Sequence, residues 1–243
     1  MAVITSLVSY WALDEASGNA IDSHGSNTLT DNNTVAAATG KVSGARDFEL
    51  DNTESFSVAD NASLSVPDQD FSFAVWVNPE SGAARNEILS KGGASDLSYS
   101  LLRAANSGFS FYVSSGVGFQ NGTFVDSSAG APSSGSWYFV VCWHDATANT
   151  TNIQVNDGSV DSTSFTFGTY DDVGDFALGQ EPFYGNYYDG LLDEVGFWKK
   201  VLTSTERTWL YNSGAGRSYA DIVAEGGAAA TLRQWRMGRL GVQ

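Results

Sequence analysis

Three acids, Glu49, Asp51 and Glu54, stand in the spacing E-x-D-x-x-E within FELDNTESF. Retaining glycoside hydrolysis needs two carboxyl groups about 5 Å apart across the scissile bond, one as nucleophile and one as acid/base, so such acids must project from one continuous strand. Here the middle of the run, Asp51-Asn52-Thr53, reads as a turn. The three are therefore expected to be solvated. The two histidines, His24 and His144, are far apart in sequence and outside any zinc-ligand spacing, and neither G-x-S-x-G nor a phosphate-cradling glycine loop occurs. His144 alternates with Tyr138, Val140 and Cys142 and reads as a strand-face residue. No catalytic constellation remains, and the chain is expected not to be an enzyme.

Asp193 and Glu194 pose a different problem, because they sit in the middle of the apolar run GLLDEVGFW. Strand alternation puts Leu191, Asp193, Val195 and Phe197 on one face and Leu192, Glu194, Gly196 and Trp198 on the other. Asp193 is then expected among apolar residues, and Glu194 in solvent or beside a lysine. A lone buried carboxylate costs roughly several kcal/mol unless a metal, a cation or backbone N–H groups compensate.

A third chemistry is that of sugar binding, in which aromatic faces cover the apolar side of a pyranose and polar groups take its hydroxyls. The segment GQEPFYGNYYDG crowds Phe183, Tyr184, Tyr187 and Tyr188 together with Asn186 and Asp189. These read as a contact surface for glycans, or with two of the four aromatics plugging the end of the fold. An outer strand face bearing Trp76 and Tyr112 is a second place, with Trp76 expected in the core.

The elements that must position these residues are strands. Short alternating segments recur along the chain (LVSYWAL, ARDFEL, SFSV, FSFAVWVN, EILSK, YSLLR, FSFYVS, WYFVVCWH, NIQV, SFTF, FALG, GLLDEVGFW), separated by Gly, Asn, Asp and Ser clusters. They predict an all-β, two-sheet antiparallel sandwich. In FSFAVWVN the residues Phe71, Phe73, Val75 and Val77 form an apolar face, and the strand is expected to meet a core on that side alone. Asn156-Asp157-Gly158 predicts a hairpin turn. In TSTERTWLYNSG, Thr203 and Glu206 have capping-box spacing and Gly214 marks the expected stop of one short helix.

The formal charge of −16 disfavours nucleic acid or an anionic membrane as partner, and leaves neutral glycans, cations or basic proteins. Cys142 is the single cysteine, so no internal disulfide forms, and its neighbours Val140 and Val141 place it in the core. The start MAVITSLVSYWALDE lacks a basic n-region and reads as a first strand rather than a signal peptide. Residues 1–222 are expected to form the sandwich and 223–243 a tail. From residue 226 that tail holds Arg233, Arg236 and Arg239 and no acid, with Leu232 and Trp235 as neighbours on one helical face.

Taken in order, SYWALDEASGNAIDSHG, GARDFELD, FSFAVWVNP, SWYFVVCWHDATANTTNIQVNDG and GLLDEVGFWKKVLTSTERTWLYNSG resemble the laminin-G-like jelly rolls of the concanavalin A-like lectin and glucanase superfamily, over roughly residues 7–220. The resemblance implies a jelly roll that acts as a non-catalytic binding or adhesion module. It also implies a structural calcium between the first loop and the last strand, at the positions of Asp14, Asn19, Asp22 and Asp193. Calcium takes six to eight oxygen ligands, which such a loop can supply. In the alternative, Asp193 accepts hydrogen bonds from loop N–H groups while Asp14 and Asp22 cap turns.

A lectin-like chain starting at its own Met1 without a signal peptide must leave the cell by another route. The expected one is release as a structural or decoration protein of a bacteriophage particle, a virion setting in which the arginine-bearing tail docks onto other assembly proteins or sister subunits. The alternative is an exported bacterial adhesin or carbohydrate-binding module, found outside the cell.

Overall fold

The computed structural model describes residues 3–80, 85–93, 96–104, 108–117, 121–181 and 185–228. Two antiparallel sheets stack face to face. One contains β13 (Val160–Ser164), β12 (Thr150–Val155), β11 (Tyr138–Asp145), β6 (Phe71–Pro79), β17 (Gly190–Trp198), β4 (Gly44–Phe48) and β3 (Ala36–Thr39) in that order, with β1 (Leu7–Trp11) also paired to β17. The other runs β10 (Gly122–Asp126), β9 (Phe109–Ser114), β8 (Leu97–Arg103), β7 (Asn86–Gly92), β14 (Phe176–Leu178), β5 (Ser55–Val58) and β2 (Thr30–Asn32). A two-residue hairpin, β15 (Gln180–Glu181) with β16 (Asn186–Tyr187), lies beside β7. Alternate residues of the facing strands, among them Phe73, Val75, Val77, Phe111, Phe176 and Phe197, fill the space between the sheets.

The eight-stranded sheet has a second apolar layer on its outer face, so β6 is buried on both sides rather than one. Ala74, Trp76, Phe139 and Trp198 pack there beneath α1 (Ser204–Tyr211), a second helix, α2 (residues 219–228), and the N-terminal segment. Trp76 stacks on Tyr211 at 5.9 Å between ring centroids, as a core residue should. The Trp198 indole N–H donates to the Val3 carbonyl (2.7 Å). α1 opens on the predicted capping box of Thr203 and Glu206, but it ends at Asn212 in a left-handed conformation (φ 50°) instead of at Gly214. α2 runs across the expected tail boundary: Ile222 is fully buried, and Glu225 accepts a hydrogen bond from Val3 N–H (3.3 Å). Leu232, Arg233, Trp235, Arg236 and Arg239 lie outside the described residues.

The hairpin at Asn156-Asp157 forms as expected, both residues having positive φ (51° and 56°) and Gly158 N–H closing the turn on the Val155 carbonyl. The segment SFTF, in contrast, is not a strand: β13 ends at Ser164, before its phenylalanines. Cys142 and His144 are both buried on β11, His144 with its ring against Phe71 and Phe165 and its Nδ1 3.1 Å from the Thr150 carbonyl.

Candidate functional site

The expected alternation fails at Asp193. The pairing of β17 with β6 slips between Asp193 and Gly196, and Glu194 adopts φ 50°, which marks a bulge. The extra residue keeps Leu192, Val195 and Phe197 in the central core and leaves Asp193 and Glu194 outside it. Glu194, expected in solvent, is 4% exposed beside Tyr10, Trp76 and Arg217. Asp193 Oδ2 accepts from Val42 N–H (2.8 Å) in the turn between β3 and β4, and the Glu194 carboxyl faces the Tyr10 hydroxyl. Burial pushes the Asp193 carboxyl up to about 8, against the pull of the Val42 and Lys41 N–H groups. Burial likewise pushes Glu194 up to about 9, with Asp193 adding to it and the Tyr10 hydroxyl opposing.

Of the first-loop residues, Asp14 lies near enough to Asp193 to push its carboxyl further up, while Asp22 and Asn19 are engaged by loop backbone. Asp22 accepts four backbone N–H bonds, from Tyr10, His24 and Gly25 on Oδ1 and from Asn27 on Oδ2 (2.8–3.0 Å). Asp14 Oδ1 takes the Gly44 N–H (2.6 Å) and Asn19 Oδ1 the Asp31 N–H (3.1 Å). Each thus organises backbone with a side-chain oxygen that a metal would need. Among the described residues the acids whose oxygens do converge, within 4.8 Å of one another, are Asp47, Glu49 and Glu80. The carboxylates of Asp14, Asp22 and Asp193 are not gathered in this way.

Glu49, Asp51 and Glu54 straddle a turn, as the sequence predicts: Leu50–Asn52 is one 3-10 turn closed at Thr53 (φ 55°). Glu54 is nonetheless buried rather than solvated. Its Oε2 accepts from Glu49 N–H (3.0 Å) and its Oε1 from Asn52 Nδ2 (3.1 Å), so it acts as a lock for the turn.

The aromatic segment divides. Phe183 and Tyr184 lie outside the described residues. Tyr188 is fully buried against Phe48 and plugs the sandwich, which removes it from any contact surface. Tyr187 and Asn186 are half-buried on β16, and the Tyr187 hydroxyl accepts from Gln180 Nε2 (3.2 Å). Tyr112 does not share a face with Trp76. It belongs to the other sheet and is itself buried against Phe124.

Gln180 lies beside what the sequence reading missed. The register places Thr30, Ser57, Ala177, Ser90, Ser100, Tyr112 and Phe124 in one row across the outer face of the seven-stranded sheet, alternating with the core-facing residues. At the β5–β14 end this row opens into a cavity of about 290 Å³, walled by Ser57, Asp175, Ala177 and Gln180 and by the backbone of Gly92 and Gly174. Gly174 must be glycine, since a Cβ there would lie 2.1 Å from the Gly92 carbonyl carbon. The sequence signal was present: serines stand two apart in SFSV and LSYSLLR and four apart in FSFYVS. Beside the row, Glu87 accepts from the Ser100 hydroxyl and from Arg85 Nε (3.2 Å), yet its burial outweighs the arginine and pushes its carboxyl up to about 8.

Residues 50–206, well over half of the chain, match the model of a laminin-G-like family described as the concanavalin A-like lectin/glucanases superfamily. The chain belongs to this superfamily. Among solved structures, the binding domain of Paraclostridial Mosquitocidal Protein 1 is similar at a TM-score of 0.70 and 13% identity, covering 87% of this chain and 53% of that one. Domain 4 of AbnA, a GH43 extracellular arabinanase from Geobacillus stearothermophilus, in complex with arabinotriose, is similar at 0.65 and 17%, covering 87% and 98%. The binding domain of Botulinum Neurotoxin DC in complex with SialylT is similar at 0.64 and 10%, covering 87% and 52%. The chain thus spans about half the length of the toxin binding domains it matches. No curated protein matches it. At these identities the likeness establishes the sandwich fold and nothing finer; two of the three neighbours are binding domains and the third is in complex with a sugar. The superfamily's glucanase acids would have to stand on a strand, whereas here the matching spacing falls on the Leu50–Asn52 turn.

Proposed function

We propose that the protein is a non-catalytic carbohydrate-binding module whose glycan enters the groove between β5, β14 and the β15–β16 hairpin. The observation that carries this reading is the groove itself: about 290 Å³, open, and lined by a hydroxyl, a carboxylate and an amide on a glycine floor. That volume is at the lower limit for small-molecule sites, roughly 300 Å³, and suits one sugar unit better than a large apolar ligand. The lining groups are the donors and acceptors that sugar hydroxyls use, and the half-buried Tyr187, an aromatic of the kind that covers a sugar face, is tied through its hydroxyl to the lining residue Gln180. Arabinotriose in the complex of the similar arabinanase domain makes arabino-oligosaccharides the first ligands to try.

Binding is checked on a glycan array and then by calorimetry with each hit. Gln180→Ala and Asp175→Ala are each expected to weaken the best ligand by about tenfold, the effect of one hydrogen bond of about 1.4 kcal/mol. Tyr187→Ala should weaken it by a similar factor with an unchanged melting curve. Absence of glycan binding, or binding unaffected by these three substitutions, would refute the groove.

We also propose that the tail attaches the domain to a larger assembly, a phage particle being the setting that its charge contrast favours. Residues 226–243 carry three of the twelve basic residues and none of the 28 acids. Removal of residues 229–243 should then abolish co-sedimentation with the assembly while the sandwich melts as before. Unchanged sedimentation would mean that the tail has no anchoring role.

A further inference from the structure

At the end of the eight-stranded sheet opposite the helical cap's buried acids, three strands bring acids together that are remote in sequence. Leu191 of β17 pairs with Asp47 of β4 on one side and with Asn78 of β6 on the other. Paired residues in antiparallel strands project to the same side, so Asp47 and Asn78 flank Leu191 in one row. Glu49, Asp189 and Glu80 each lie two residues further on, just past the ends of the same three strands, and Glu80 N–H donates to the Asp189 carbonyl (3.0 Å). Period-2 alternation then sets these acids in the next row on the same face. Carboxylate oxygens of Asp47, Glu49 and Glu80 lie within 4.8 Å of one another.

Two further observations separate this cluster from an ordinary solvated acidic patch. Asn78, on the same sheet face as Asp47 across Leu191, is 8% exposed, and its Oδ1 is buried without a hydrogen-bond partner. Asp47 Oδ1 is buried and unpartnered as well. Among the described residues no basic side chain forms an ion pair with any of the three acids. A buried amide oxygen left without a donor costs on the order of 1–3 kcal/mol, and acids at this spacing repel one another. A hard cation removes both costs, because it takes carboxylate and amide oxygens alike.

We infer that Asp47, Glu49 and Glu80, with Asn78 Oδ1, form a divalent-cation site, and that calcium is the ion it suits. The donors are all oxygens, which excludes a preference for zinc or copper, and two of the carboxylates stand on exposed, adjustable positions, which favours the variable coordination of calcium over the strict octahedron of magnesium. The site is independent of the glycan groove, which lies on the other sheet.

The test is calorimetric titration of the full chain with calcium chloride and, separately, magnesium chloride. One calcium per chain is expected, with weaker or no binding of magnesium, and a melting temperature that rises with calcium concentration. Glu49→Gln/Glu80→Gln should lose calcium binding, and Asp47→Asn should weaken it by about tenfold or more. Because Glu49 and Glu80 are exposed, the double variant should melt like the calcium-free wild type, which keeps misfolding apart from loss of the site. Asp14→Asn should bind as wild type does. No binding by the wild type, binding retained in Glu49→Gln/Glu80→Gln, or binding lost in Asp14→Asn alone would each overturn the inference, the last returning calcium to the first loop.

Discussion

Between pH 6 and pH 9 the protein, held in chelator, is expected to lose on the order of several kcal/mol of folding stability, and Glu194→Gln and Asp193→Asn should each remove part of that loss. Both carboxyls are buried and their folded-state values are raised, to about 8 for Asp193 and about 9 for Glu194. In the unfolded chain they ionise near 4, so between those limits the folded state binds more protons than the unfolded one. Stability is therefore fully present below about pH 4 and falls as pH rises through 8 and 9. Glu87, also raised to about 8, contributes in the same sense and should leave a residual slope in the double variant. Denaturant melts at half-unit pH steps measure this. A flat profile in the wild type would show that the two acids are ionised when folded, with a counter-charge in place of the proton.

Arg46→Ala should cost about 3–5 kcal/mol, the loss typical of breaking a buried ion pair from one side. Arg46 has no exposed surface. It reaches from β4 to three separate segments, donating to the Gly18 carbonyl (3.0 Å), to Asp31 Oδ2 on β2 (3.3 Å) and to the Val35 carbonyl, with its guanidinium over the Phe56 ring at 4.7 Å. Removing it orphans two carbonyls and a partly buried carboxylate at once. Arg46→Lys should recover less than half of the loss, since one ammonium cannot match a planar fork aimed at three acceptors and stacked on a ring. Equilibrium unfolding in urea checks both variants. A loss under 1 kcal/mol for Arg46→Ala would mean that water replaces the guanidinium. The first loop and β2 are the expected first segments to loosen, and hydrogen exchange at Val35 and Asp31 would report it.

Local order along the chain was legible from residue types alone. The strands at FSFAVWVN and FSFYVS, the turn at Asn156-Asp157 and the Thr203–Glu206 box each depend on interactions within a few residues, and each forms, although the first strand is buried on both faces rather than one. The strands that escaped notice include β2 with TDN, β3 with AAAT, β10 with GTFVD and β13 with VDSTS, which lie at the sheet edges and are mostly half-buried or exposed, so no apolar period marks them. Tertiary structure alone decided the rest. Alternation is a rule with period two, and one bulge at Asp193–Glu194 resets it, sending both acids to a face that only the packing of α1, α2 and Val3 turns into an interior. Tyr188 and Tyr187 are neighbours of the same chemistry, yet one fills the core and the other stays half-buried beside Gln180, because the turn into β17 fixes which side each faces. Asp47, Asn78 and Glu80 meet only because β17 enters between β4 and β6, and the hydrogen-bond register that aligns them is a property of strand pairs far apart in the chain, to which no single segment holds the key.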